Sequence, residues 1–130
     1  MRVTYTAGVF DLLHAGHLNM LWRSKEQGDV LVVGVVSDAG TRAYKHRLPV
    51  ENVQQRMDAI RRLSFVDVVV MQNTSDPTPN LLRFQPAVFT HGDADGEWSA
   101  LHAQVAACGV EYRNLPYTVG ISTSMLRGVA

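Results

Sequence analysis

The chain has a single cysteine, Cys108, so no internal disulfide can form and stability must come from an apolar core. It has no excess of either charge: 12 Lys and Arg offset 12 Asp and Glu. That balance argues against a broad nucleic-acid or anionic-membrane surface and leaves only local anion sites. No apolar run approaches the roughly 20 residues of a membrane span. The N-terminus lacks the pattern of a secretory signal. Repeats and low-complexity tracts are missing too. A soluble cytoplasmic protein with no nucleic-acid or membrane partner fits these absences. Cys108 itself, in Val105-Ala106-Ala107-Cys108, reads as a small core residue rather than a nucleophile.

What is present is a core. Of the 130 residues, 46 % are hydrophobic, enough for one compact domain spanning 1–130 and too short for two. Apolar runs alternate with helical patterns. The runs predict strands over Val3 to Gly8, Val30 to Val36, Val66 to Met71, Ala87 to Thr90 and Val110 to Arg113. Helices are expected over Leu18 to Gln27, Glu51 to Leu63, Thr78 to Phe84 and Trp98 to Ala107, with a short last one near Thr123. Gly40 to Pro49 reads as a mobile, cationic loop. Continuous β-branched strands fit a sheet covered on both faces. Strand-helix alternation implies an α/β fold with a single doubly wound, five-stranded parallel sheet. Such sheets bind ligands at the carboxyl ends of their strands.

His14-Ala15-Gly16-His17 falls at that end, between the first strand and the first helix. A helix N-terminus offers unpaired N–H groups and a positive dipole end, and so attracts phosphate. Gly16 lets a phosphate approach the backbone. The imidazoles add N–H donors. Read alone, the pair is equally well two surface histidines.

The longer segment Gly8-Val9-Phe10-Asp11-Leu12-Leu13-His14-Ala15-Gly16-His17 resembles the signature of the cytidylyltransferase-like nucleotidyltransferases. Leu115-Pro116-Tyr117-Thr118-Val119-Gly120-Ile121-Ser122-Thr123-Ser124 resembles their second signature, whose loop and following helix hold the β- and γ-phosphates. The resemblance covers nearly the whole chain and implies a Rossmann-like fold. It implies His14, His17 and Lys45 as catalytic groups. It implies Gly8, Phe10, Gly16, Asp93, Thr118, Gly120, Ile121, Ser122 and Thr123 as nucleotide-binding residues. Asp11, Asp38, Arg56 and Tyr117 are candidate acceptor or phosphate contacts. Arg56 equally reads as a brace of the subunit interface, Asp38 as a cap and Asp11 as a residue that orients a histidine or a backbone turn. One of Arg42, His46 and Arg47 is a further candidate for the acceptor.

The resemblance is closest to the glycerol-3-phosphate cytidylyltransferases. It extends to cytidylyltransferase domains of phosphonate-pathway enzymes, which would make the chain part of a longer polypeptide. The implied reaction transfers CMP from CTP to a small alcohol phosphate or phosphonate and releases pyrophosphate. Mg²⁺ enters on the nucleotide phosphates with no protein metal site, and the implied assembly is a homodimer. Two departures bear on this reading. Tyr117 and Ser64 stand where that group carries arginines, and neither can grip phosphate as a guanidinium fork does. Arg61, Arg62 and Arg113 are the candidates to compensate. The related heptose-phosphate adenylyltransferases also lack the second arginine, and Ser37-Asp38-Ala39-Gly40-Thr41 and Gln55-Arg56-Met57 resemble that branch. Adenylyl transfer to a sugar phosphate is therefore the first alternative. A nucleotide-binding module without turnover is the second, and a plain flavodoxin-like binding domain the third.

Overall fold

A computed structural model describes residues 1–92 and 100–115. Five strands, β1 (Val3–Gly8), β2 (Val30–Val36), β3 (Val68–Gln72), β4 (Val88–His91) and β5 (Glu111–Asn114), form one sheet in the order β3-β2-β1-β4-β5. Every pairing is parallel, with Val3 opposite Val30 and Thr4 opposite Val88. Five helices cross between strands: α1 (Ala15–Glu26), α2 (Asp38–Lys45), α3 (Val53–Arg61), α4 (Thr78–Phe84) and α5 (Leu101–Ala107).

The period of two along β2 divides the core. Val32 and Val36 pack on one face with Leu81 of α4 and Leu101 and Val105 of α5. Leu31, Val33 and Val35 pack on the other with Leu21 of α1 and Ile60 of α3. A strand apolar on both faces cannot lie at a wetted surface, which is why helices cover this sheet on both sides. Tyr5 reaches across β2, where its hydroxyl donates to Gln72 Oε1 at 2.6 Å and accepts from Asn80 Nδ2 at 3.0 Å. Gly34 makes the room: a Cβ there would lie 2.0 Å from the Tyr5 hydroxyl.

The expected strands are all present: β1 and β2 have the expected bounds, and the ends of β3, β4 and β5 are shifted by one or two residues. The expected loop over Gly40 to Pro49 is corrected in its first half, which is the end of α2. Ser37 Oγ caps that helix by accepting from Gly40 N at 2.9 Å, and Arg42 and Lys45 sit at its negative end. Gly40 suggests a loop by composition, but its role is packing: a Cβ there would meet Asn73 O at 2.3 Å. Helix α1 begins at Ala15 rather than Leu18, because His14 caps it. Helix α3 is shorter than expected at both ends, with Asn52 as its cap.

Candidate active site

The order β3-β2-β1-β4-β5 places the reversal of winding between β1 and β4. A cleft of about 640 Å³ opens at the carboxyl ends of these two strands. Its walls come from the end of β1 and the loop after it, the first two turns of α1, α2 with the segment after it, and the end of β4.

The β1–α1 loop is held under strain. Phe10 and Leu12 have φ of 53° and 50°, a left-handed conformation that costs a non-glycine residue about 1–3 kcal/mol and persists only where surroundings impose it. Leu12 N donates to Glu51 Oε1 at 2.9 Å. Asp11 answers from the same loop: its carboxylate accepts from Val50 N at 2.8 Å and Glu51 N at 3.0 Å. Burial opposes ionisation of Asp11, but the Glu51 and Val50 amides, with the charges of Arg56 and Arg47, outweigh it and hold the carboxyl below its ordinary value. The Phe10 ring folds back over Gly8, where a Cβ would lie 3.0 Å from the ring. It meets the His17 ring edge-on at 5.6 Å.

The two histidines form a reciprocal cap. His14 Nδ1 accepts from Gly16 N at 3.0 Å, and His17 Nδ1 accepts from His14 N at 3.2 Å. Their rings stack with centroids 3.8 Å apart. A nitrogen that accepts a backbone hydrogen bond carries no hydrogen, so the neutral rings hold theirs on Nε2. Two of the amides that the sequence leaves for an anion are thus taken by imidazole. In exchange, the corner can present two Nε2–H donors to the cleft that both residues line. His17 is kept neutral, its pKa lowered to about 4, first by burial and then by the nearby charges of His14 and Lys45.

Lys45 reaches the cleft from the last turn of α2, with its Nζ 5.9 Å from the centroid of the Tyr44 ring. Thr41, Tyr44 and Lys45 line the cleft together because positions i, i+3 and i+4 share one helix face. Gly8, Phe10, Asp11, Gly16 and Arg47 also line it. Thr41, Tyr44 and Met20 are lining residues that the sequence does not single out. For Met20 the signal was available, since it stands one turn beyond His17 on the same face of α1.

The structure does not bring Arg56 and Asp38, the candidate acceptor or phosphate contacts, into the cleft, and Ser37 rather than Asp38 caps α2. Arg56 is fully buried and bonds Asp38 at 2.7 Å, and neither residue lines the cleft. Arg61 pairs with Asp58, and Arg113 bonds Glu111 and Gln27, so neither of these arginines fills the cleft. Trp22 packs edge-on against Phe65 at 5.2 Å, as a core residue should. Asp93, Tyr117, Thr118, Gly120, Ile121, Ser122 and Thr123 lie outside the described residues. No helix among the described residues is long and apolar enough to cross a membrane.

Comparisons with known proteins agree with this geometry. A profile of the family described as cytidylyltransferase-like matches residues 5–129. The chain is 35 % identical over 128 residues to the bifunctional protein HldE of Rhodopseudomonas palustris, covering 97 % of this chain and 26 % of that protein. It is 39 % identical over 127 residues to the HldE of Shewanella denitrificans, covering 96 % and 27 %. The chain thus spans about a quarter of the curated relatives it matches. A solved structure described as the lipopolysaccharide core biosynthesis protein of Thermoplasma volcanium superposes with a TM-score of 0.77 at 28 % identity, covering 91 % of this chain and 97 % of that one. The pantoate-beta-alanine ligase of Francisella tularensis shares the fold at a TM-score of 0.65 and 14 % identity, covering 92 % and 60 %. With its parallel sheet, its paired imidazoles at the β1–α1 corner and a profile match over nearly its full length, the chain belongs to the cytidylyltransferase-like family of nucleotidyltransferases.

Proposed function

We propose that the chain transfers an adenylyl group from ATP to the phosphate of a sugar phosphate and releases pyrophosphate. The observation that carries nucleotidyl transfer is the capped histidine pair beside Lys45 in one cleft. A phosphate oxygen of the acceptor attacks the α-phosphorus of the nucleotide. The bond from that phosphorus to the bridging oxygen breaks, and pyrophosphate leaves in line. The acceptor is already an anion, so no general base is required. The chemistry is positioning and charge stabilisation. His14 and His17 donate from Nε2 as charge builds on the α-phosphate and the bridging oxygen. Lys45 holds the leaving pyrophosphate, together with Thr118, Ser122 and Thr123.

Mg²⁺ arrives as part of the nucleotide substrate. Among the described residues no group of three His, Cys, Asp or Glu side chains can hold a metal, and the Asp11 carboxylate is occupied by two amides. Phosphate oxygens and water would supply its coordination.

ATP and a sugar phosphate replace the CTP and alcohol phosphate or phosphonate expected from the signatures. The HldE relatives over 97 % of the chain and the lipopolysaccharide core biosynthesis relative support a sugar acceptor. The likeness of Ser37–Thr41 and Gln55–Met57 to heptose-phosphate adenylyltransferases supports the adenylyl donor. The family's own description keeps the cytidylyl reading as the second one. Pyrophosphate release is to be measured with ATP and with CTP against aldose 1-phosphates, glycerol 3-phosphate and 2-hydroxyethylphosphonate. Turnover with ATP and an aldose phosphate is expected. Turnover with CTP alone overturns the donor, and ATP binding without turnover on any acceptor overturns the enzyme. A homodimer is part of the proposal, to be read by light scattering.

A further inference from the structure

Among the described residues Arg56 is the only charged side chain with no exposure at all, and it does not line the cleft. Burying a guanidinium is unfavourable unless its donors are satisfied and its charge is paired. Here four of its five N–H donors are used. Nε donates to Glu51 O at 3.0 Å, Nη1 to Val9 O at 2.8 Å and Val36 O at 2.7 Å, and Nη2 to Asp38 Oδ1 at 2.7 Å.

The four acceptors come from three stretches of chain, after β1, at the β2–α2 junction and before α3, and the first two stretches lead into walls of the cleft. Val9 O immediately precedes Phe10, the strained residue whose ring meets His17. Val36 O precedes Ser37, the cap of α2, and Asp38 is the first residue of that helix. The same helix delivers Tyr44 and Lys45 to the cleft. Glu51 receives Leu12 N on its carboxylate and donates its own N–H to Asp11. One guanidinium therefore joins the wall that holds the histidines to the wall that holds Lys45. An apolar side chain of similar volume could fill the space but could not fix these four oxygens relative to one another.

We propose that Arg56 is a positioning residue: its planar fork sets the separation between the His14–His17 pair and the α2 wall that carries Lys45. It acts through Val9 O and Asp38 and touches no reacting atom. The inference rests on the nucleotidyltransferase reading only for its kinetic consequence. The geometric part stands without substrate.

The test uses Arg56→Lys, which keeps a charge but has three compact donors in place of a planar fork, and Asp38→Asn, which keeps the shape and weakens the ion pair. Arg61→Gln, on the same helix but exposed and paired only with Asp58, is the control. Imidazole ¹H–¹⁵N spectra of the folded, nucleotide-free proteins are recorded first. Displaced His17 ring resonances are expected in Arg56→Lys and Asp38→Asn, and unchanged ones in Arg61→Gln. Pyrophosphate release is measured next with the acceptor that the wild type uses. A fall in kcat of up to about 10²-fold, with KM for the nucleotide near that of the wild type, is expected from small misplacement. Unmoved ring resonances in both variants overturn the proposal whatever the kinetics, and so does unchanged kcat in folded variants. If Arg56→Lys fails to fold, Asp38→Asn decides alone. If the wild type turns over no acceptor, the function falls and the spectra still decide the role of Arg56.

Discussion

His14 and His17 cap one helix with each other's help: His14 Nδ1 accepts the Gly16 N–H of the first turn at 3.0 Å, and His17 Nδ1 accepts the N–H of His14, the cap residue, at 3.2 Å. The same bonds that start α1 fix the tautomer and orientation of both rings. Helix capping and the proposed catalysis therefore use opposite edges of the same imidazoles, and variants can separate them.

Asparagine is a favoured N-cap residue. His14→Asn is expected to melt near the wild type, whereas His14→Ala loses about 1 kcal/mol of stability with the cap. Both are expected to lose at least about 10²-fold in kcat, because neither retains the Nε2–H. Thermal melts and pyrophosphate release measure the two effects. Activity in His14→Asn close to wild type contradicts the donor role.

Lys45→Ala removes a cation from the cleft without touching a core contact. Stability is expected to stay within about 0.5 kcal/mol, as for a surface change. kcat/KM for the nucleotide is expected to fall about 10²-fold, the order found when one preorganised donor is removed. Steady-state kinetics at varied nucleotide concentration checks this, and an unchanged kcat/KM removes Lys45 from the site.

The pH dependence of stability has a defined sign. Burial of His17, with the charges of His14 and Lys45 added, depresses its pKa from 6.5 to about 4. The unfolded chain therefore binds more protons than the folded one between those values, and stability falls as pH drops from about 6.5 to about 4. Above 6.5 both states hold His17 neutral and this contribution is constant. Urea unfolding at pH 7 and pH 4.5 is expected to show a smaller loss for His17→Gln than for the wild type. Equal losses contradict the depressed pKa.

Gly34→Ala places a Cβ 2.0 Å from the Tyr5 hydroxyl, in the buried part of β2. Overpacking of this kind costs about 1–3 kcal/mol. Adding Tyr5→Phe removes the nearest clashing atom and leaves the ring Cζ at 2.8 Å, so part of the clash is relieved and the double variant is expected to be more stable than the sum of the single losses. Denaturant midpoints of the four proteins give the coupling, and strict additivity contradicts the contact.

Legibility followed the range of the interaction. The strands were readable because seven consecutive residues such as Val30–Val36 satisfy only a strand buried on both faces. The histidine corner was readable because its residues are contiguous. Helix α2 is legible only in part, since Gly40 argues for a loop, whereas Asn73, just past the end of β3, leaves no room for a Cβ. For Arg56 and Asp38 the sequence leaves a ligand contact and a brace or cap equally open. Only packing shows the four oxygens that already hold the guanidinium.

Local order alone thus determined the alternation of strands and helices, the placement of the imidazoles after β1 and the family to which the chain belongs. The tertiary structure decided which charges face the cleft and which brace it, how the rings orient, and that β1 and β4 share the opening. Those features depend on atoms distant along the chain that meet only when the sheet closes, and hydrogen bonding and burial are properties of that meeting.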